Sequence, residues 1–534
     1  MLIMNPPARV AVLVSLVALL AACGSDSTRG ADTTPSPSSQ SAEVPPPLMP
    51  AMPLPDNAVA DAVAELDGMA EALMTKSGIP GMAVAVVHGG KTVYAKGFGV
   101  KNTFAPDGAG NRVDADTVFQ LASLSKPLSA TVVARQVSRN AITWDTPIVS
   151  RLPWFALSDP AVTKTVTVGD MFSHRSGLPD HAGDRLEDLG YDRRQVLERL
   201  RQLPLAPFRI SYAYTNFGLT AGAEAVAAAA GEDWETLAQD ELFGPLGMAS
   251  TSYRFTDFQA RRDRAVGHIH VDGRYEPRYV RDPQAQSPAG GVSSSVNDMT
   301  RWMTMMLADG QRDGAPFIDP KALLPALTPQ IVSSRGSEPS MRSGFYGYGF
   351  NVGTTSGART ELSHSGAFEL GAGSNVLVLP SADVAIVALT NATPAGVPEA
   401  LTAQFADLVQ FGKVREDWYA LYHKAFADME QPVGSLAGQQ RPAGAKPPAP
   451  LATYTGTYRN DFWGPATVTE RDGRLELTVG PRGTFELQPW DGNVFTFSFV
   501  TENAPPGTVS KATFDGNTLT LEYFDEEHNG VFLR

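Results

Sequence analysis

Phe119-Gln-Leu-Ala-Ser123-Leu-Ser-Lys126-Pro-Leu runs straight into Ser129-Ala-Thr-Val-Val-Ala-Arg-Gln-Val137, a stretch with helical periodicity. Ser123 and Lys126 are three residues apart, so at a helix N-terminus their side chains share one face and reach each other. A helix dipole and suitable neighbours there favour a neutral amine as proton acceptor and stabilise charge developing on Oγ. A serine served by such an amine can attack a carbonyl and form an acyl-enzyme. Ser-x-x-Lys alone is common by chance, so its meaning depends on what surrounds it.

Further along the chain stand Tyr212-Ala-Tyr214-Thr-Asn216-Phe-Gly-Leu219 and then His364-Ser365-Gly366-Ala367. Of the two tyrosines only Tyr214 has an asparagine two residues on. In this order the three segments resemble the S-x-x-K, Y-x-N and K/H-[ST]-G motifs of the serine β-lactamase and penicillin-binding-protein superfamily, in its class C-like branch. Phe172-Ser-His-Arg-Ser-Gly-Leu-Pro179, Phe243-Gly-Pro-Leu-Gly-Met248, and Ala289-Gly-Gly-Val292 with Asp298 extend the resemblance over about residues 56–415. It implies an esterase, D-amino-acid peptidase or weak β-lactamase acting through an acyl-enzyme on Ser123. By the same resemblance, Lys126 and Tyr214 share the proton transfers and Asn216 orients Lys126 or the substrate. The backbone N–H groups of Ser123 and Ala367 would form the oxyanion hole, with His364, Ser365 and Gly366 around the substrate. His364 stands where Lys is usual. Its ordinary pKa near 6.5 leaves it largely neutral at pH 7, so a carboxylate-bearing substrate such as a penicillin is less strongly implied. Arg342 and Arg359 lie near this motif in sequence and are candidates to hold such a carboxylate. The rival reading is a catalytically idle envelope lipoprotein that binds peptidoglycan or a protein partner in the same pocket.

The arrangement of strands and helices points to an α+β fold. Gly81-Met-Ala-Val-Ala-Val-Val and Thr92-Val-Tyr-Ala flank Gly89-Gly90 as a hairpin. Ser374–Pro380 and Asp383–Leu389 read as two late strands, and residues 397–429 as an amphipathic helical stretch. The middle, about 124–340, is mostly helical. One antiparallel sheet built from both ends of the segment, flanked by helices and carrying a helical insert, satisfies this order. Residues 431–450, rich in Pro, Gly and Ala, read as a linker to a tail over 451–534. There Leu475, Leu477 and Val479 alternate with polar residues, as do Phe495, Phe497 and Phe499, and Asp472-Gly473, Asp491-Gly492 and Asp515-Gly516 supply turns. An all-β meander or small barrel is expected, and with its Tyr454-Thr-Gly-Thr-Tyr458 opening the tail resembles the lipocalin-like domain that follows the hydrolase in some relatives.

The N-terminus reads as an address. Arg9, an apolar run Val10–Leu20 and small residues ending at Cys23 fit a signal peptide. Leu20-Ala21-Ala22-Cys23 resembles a bacterial lipobox, which implies lipidation at Cys23, a membrane anchor and a location in the cell envelope. Residues 24–55 read as a disordered tether, and 56–430 as the hydrolase domain. One cysteine in 534 residues excludes an internal disulfide and a thiolate metal cluster, and no cofactor is expected. His268-Ile-His270 lacks a third ligand and reads as two solvent-facing strand residues. A net charge of −14 argues against nucleic acid as a partner. The expected partner is a small-molecule or peptide substrate, and a homo-oligomer is compatible with the sequence.

Overall fold

The computed structural model describes residues 48–534, and Pro50–Arg534 form one compact unit. The expected signal peptide, Cys23 and most of the 24–55 segment lie outside the described residues.

Gly81–His88 (β1) and Lys91–Gly99 (β2) form the early hairpin. Ile331–Ser334 (β3), Gly344–Tyr346 (β4), Asn351–Thr354 (β5), Thr360–Phe368 (β6), Ala372–Leu379 (β7) and Val384–Thr390 (β8) complete an antiparallel sheet in the order β2-β1-β8-β7-β6-β5-β4-β3. The two ends of the segment meet inside the sheet, one strand in from the β2 edge, where Met82 lies opposite Thr390 and His88 opposite Val384. Both of these interior strands are apolar on both faces. Ala83, Ala85 and Val87 of β1 pack with the helical insert, whereas Met82, Val84 and Val86 pack under Leu66–Ser77 and Val397–Phe411. A strand covered on both sides has no solvent face to alternate with, which is why these runs are continuously hydrophobic.

In the tail, eight strands from Gly456–Tyr458 to Val531–Leu533 pair antiparallel in sequence order. Reciprocal Arg459–Leu533 backbone hydrogen bonds of 2.7 and 2.9 Å bring the first and last strands together, leaving a nearly closed barrel. Closure removes the sheet edges that would otherwise invite pairing with another chain. Two of its turns start one residue later than the Asp-Gly reading, because Asp491 pairs with Val494 and Asp515 with Thr518, leaving Gly-Asn at the tip. Residues 431–450 run along the barrel wall: Val509 N–H donates to Val433 O at 3.0 Å and Lys446 N–H to Asp491 Oδ1 at 2.7 Å. The barrel packs on the body through Tyr191 Oη to Trp463 O (2.7 Å), Thr501 to Asp188 (2.7 Å) and Glu369 N–H to Glu502 (2.9 Å).

One sequence expectation is corrected. His268 is fully buried, with Nδ1 2.9 Å from Asn391 O and Nε2 accepting from Thr103 N–H at 3.1 Å. Only His270 is solvent-facing. A ring that satisfies both nitrogens on backbone groups is a bracket between loops, and sequence alternation does not report it.

Candidate active site

The turn that carries Ser123 contains a strained residue. Ala122 has φ of 46°, a left-handed conformation that costs a residue with a Cβ roughly 1–2 kcal/mol. It passes the chain from Phe119–Gln120 through one 3-10 turn into the helix Ser125–Ser138 (α1). Leu121 N–H donates to Val292 O at 2.8 Å and Val292 N–H to Ser125 Oγ at 2.9 Å, so the Ala289–Val292 stretch clasps the turn on both sides. These ties hold the strain in place.

Lys126 is buried to 0% exposure. Its Nζ lies 2.9 Å from Ser123 Oγ, 2.7 Å from Asn216 Oδ1 and 3.0 Å from Ala289 O. The two carbonyl oxygens only accept, so each takes an N–H. The third tetrahedral position of the nitrogen then faces Ser123. Burial pushes the Lys126 pKa down to about 7, against an upward pull from Asp184. Near neutral pH a substantial fraction of the amine therefore offers a lone pair to the Ser123 hydroxyl. Nζ also sits 4.5 Å from the centre of the Tyr214 ring. Burial pushes the Tyr214 phenol well above its ordinary range, with the Ser123 hydrogen bond opposing, so Tyr214 carries its proton at neutral pH.

Asn216 opens the helix Asn216–Ala230 (α2) and links Lys126 to a buried acid. Its Nδ2 donates to Asp184 Oδ2 at 2.8 Å, and the same oxygen accepts from the exposed His181 Nδ1 at 2.8 Å. The carboxylate fixes the amide orientation, since only Nδ2 can donate to it, and this leaves Oδ1 for Lys126. Asp184 supports the ammonium form. Asp184→Asn should therefore lower the Lys126 pKa and move the acid limb of kcat/KM to lower pH. In the wild type that limb should rise through about pH 7 as the base deprotonates, following the lowered Lys126 pKa. A pH–rate profile whose limb stays in place or moves up in the Asn variant would contradict this arrangement.

β6 forms the opposite wall. His364 and Gly366 face the nucleophile turn, while the Ser365 hydroxyl accepts from Asn375 Nδ2 at 2.8 Å within the sheet. A Cβ on Gly366 would lie 2.1 Å from Leu121 O and 2.9 Å from Leu124 N, so only glycine permits this approach. β5 pairs with β6 only as far as Ser363, which leaves the β6 edge at 364–367 unpaired with β5 beside the nucleophile. Ala367 of this edge and Ser123 line the same cavity. His364 Nδ1 lies 2.6 Å from Ser365 O and its Nε2 2.8 Å from Tyr346 Oη. A carbonyl only accepts, so Nδ1 holds the proton and Nε2 takes the tyrosine O–H. Burial pushes the His364 pKa down to about 3, with Lys126 adding to the effect. The ring is neutral.

Ser123, Tyr214, Asn216, His364, Ser365 and Ala367 line a cavity of about 370 Å³. The residues sequence reasoning missed there include Tyr346, Asp184 and Arg281, together with Glu502 and Asn503 of the barrel. Arg281 is held by Glu187 at 2.5 Å and Glu502 at 3.6 Å. Arg342 donates to Thr354 O at 3.0 Å and Arg359 to Met52 O at 2.8 Å, and neither lines the cavity. Both are corrected as carboxylate holders, because backbone oxygens occupy them elsewhere. His174, buried behind the site, accepts from Thr215 N–H at 3.1 Å and packs 4.5 Å from the Tyr214 ring. It braces that tyrosine from the rear.

The family model described as Beta-lactamase matches residues 66–411, and one described as a domain of unknown function (DUF3471) matches residues 440–525. The chain is 26% identical to an unguisins hydrolase of Aspergillus violaceofuscus over 75% of this chain and 76% of that one. It is 28% identical to penicillin-binding protein 4 of Amycolatopsis lactamdurans over 74% and 97%. The octameric penicillin-binding protein homologue from Pyrococcus abyssi shares the fold with a TM-score of 0.57 at 17% identity, over 88% of this chain and 100% of that one.

Proposed function

From the premise that this chain belongs to the beta-lactamase family and is a hydrolase of that type, we propose that it cleaves esters or amides through an acyl-enzyme on Ser123. One observation carries the reading: Lys126 Nζ stands 2.9 Å from Ser123 Oγ with its other hydrogens committed to Asn216 and Ala289.

Lys126 takes the Ser123 proton as Oγ attacks the substrate carbonyl. The oxyanion forms between the backbone N–H groups of Ser123 and Ala367, and one such donor is worth about 3–4 kcal/mol of barrier. Tyr214, which carries its proton, delivers it to the departing oxygen or nitrogen and recovers a proton from Lys126. Water then attacks the acyl-enzyme with the same two groups acting in reverse, releasing the acid and restoring Ser123.

The site favours substrates without a carboxylate beside the scissile bond. His364 is neutral, Arg281 is paired with Glu187 and Glu502, and His181 is held by Asp184, so among the described residues lining the cavity a β-lactam carboxylate meets no unpaired cation. Charge-assisted hydrogen bonds are roughly twice as strong as neutral ones, and that strength is missing here. In a panel of a p-nitrophenyl ester, a D-aminoacyl amide and nitrocefin, the ester or the amide should exceed nitrocefin in kcat/KM by about 100-fold, the value of one or two lost charge-assisted bonds. Nitrocefin turnover equal to the best of the others would contradict the preference.

A further inference from the structure

A second hollow of about 230 Å³ opens beside the catalytic cavity, between the Pro179–Arg185 loop and the barrel. The two hollows share His181, Asp184 and Asn503 as walls, so they adjoin each other. Phe462, Trp463 and Leu203 give the second hollow an apolar side. Its size is below the roughly 300–1,000 Å³ typical of pockets for whole drug-sized ligands, and suits a single residue of a longer one.

Its polar groups are unusual in being unused. Asp184 is 3% exposed, and its Oδ1 meets no partner. Trp463 Nε1 and Asn529 Oδ1, on two further lining residues, are also buried without partners. Such orphans cost free energy unless something binds them. Two acceptors and one donor stand idle around one hollow. The lining is mainly acidic: Asp180, Asp184, Glu526 and Glu527 stand against Arg185, which pairs with Glu526 at 3.0 Å, and His181, which lies 2.8 Å from Asp184; among the described residues Glu527 has no ion pair and Asp180 only His181 at 3.9 Å.

We propose that this hollow is a subsite for an amine-bearing residue of a peptide substrate, adjoining the bond cleaved at Ser123. An ammonium answers Asp180, Glu527 and the free Asp184 oxygen, a peptide N–H answers Asn529, and a peptide carbonyl answers the Trp463 N–H. A simple acyl ester offers neither the ammonium nor the N–H, and an anionic ligand would be repelled. The barrel thus supplies part of the specificity of the hydrolase body, which explains why Glu502 and Asn503 reach the catalytic cavity. This deepens the acyl-enzyme reading and rests on it.

The test uses the full chain and matched N-acetylated peptide esters and amides, with lysine or norleucine just before or just after the scissile bond. In at least one position the wild type should favour lysine over norleucine in kcat/KM by about tenfold, the worth of a charge-assisted contact, and the preference should shrink as salt is raised. Asp180→Asn with Glu527→Gln, both on the surface, should bring the ratio close to one. Equal rates for lysine and norleucine, or a preference unchanged in the double variant, would overturn the proposal. So would failure to cleave any peptide while a p-nitrophenyl ester is turned over, an outcome that leaves the acyl-enzyme reading standing. Binding of the uncleaved lysine peptide to Ser123→Ala by calorimetry, expected to be tighter than that of the norleucine peptide, reads the subsite without turnover. Equal binding of the two would overturn the proposal.

Discussion

Ser123→Ala is expected to lower kcat/KM by about 10⁴-fold or more, equivalent to roughly 5.5 kcal/mol of barrier, with no loss of folded protein. Oγ is the hydroxyl that Lys126 Nζ contacts, at 2.9 Å, among three acceptors. Removing it leaves the amine anchored to Asn216 and Ala289 but with nothing to deprotonate. The oxyanion donors survive, because they are backbone groups, so a small residual rate from binding and polarisation alone remains. Ser123 is partly open to the cavity, and the change creates little void. Thermal unfolding should therefore stay close to wild type. Activity above about 1% of wild type, a barrier change under roughly 3 kcal/mol, would mean that another group forms the bond to the substrate.

Gly366→Ala should cost about 100-fold or more in kcat/KM, together with some 1–3 kcal/mol of stability. The first figure follows from the 10²–10³ attached to one oxyanion donor, the second from overpacking in a dense interior. The added carbon would fall 2.1 Å from Leu121 O, 2.4 Å from Ser374 Oγ and 2.9 Å from Leu124 N. Two of those atoms are backbone of the nucleophile turn, which is clasped by Val292 and cannot give way cheaply. β6 must move off the turn instead, and the Ala367 N–H moves with it. Gly353→Ala in β5 is the matched control, since its nearest neighbour to an added Cβ is Glu361 O at 3.9 Å. If Gly366→Ala stays within about threefold of that control, the turn and strand are not held at a fixed separation by this contact.

The sheet was legible because its interior strands announce themselves by composition. Apolar runs at Gly81–Val87 and Val384–Leu389 have no polar alternation, and strands of that kind belong inside a sheet covered on both faces. The three short motifs were equally readable as chemistry, since each holds a nucleophile, a base or a glycine at fixed spacing. What closes around them was not legible. Tyr346, which donates to His364 Nε2, comes from a strand with no spacing signal. Asp184, which orients Asn216, opens the short helix Asp184–Asp188 and has no motif spacing to mark it. Ala122 adopts a left-handed angle that alanine normally avoids, and tertiary ties decide it. Glu502 and Asn503 reach the cavity from a barrel whose own pattern concerns only its interior. His268 was misread for a related reason: its partners, Thr103 and Asn391, are far away in the chain.

The central claim is that Ser123 is acylated during turnover, and trapping that intermediate tests it most directly. Wild-type protein is incubated with a fluorophosphonate or a slowly released p-nitrophenyl ester, quenched, and weighed by intact mass spectrometry before peptide mapping. One adduct per chain is expected on the peptide that carries Ser123, and none in Ser123→Ala. Formation should slow below about pH 7, where Lys126 becomes protonated. An adduct on another residue, or turnover without any adduct, would contradict it, and a chain that neither labels nor turns over would be the idle binding protein instead.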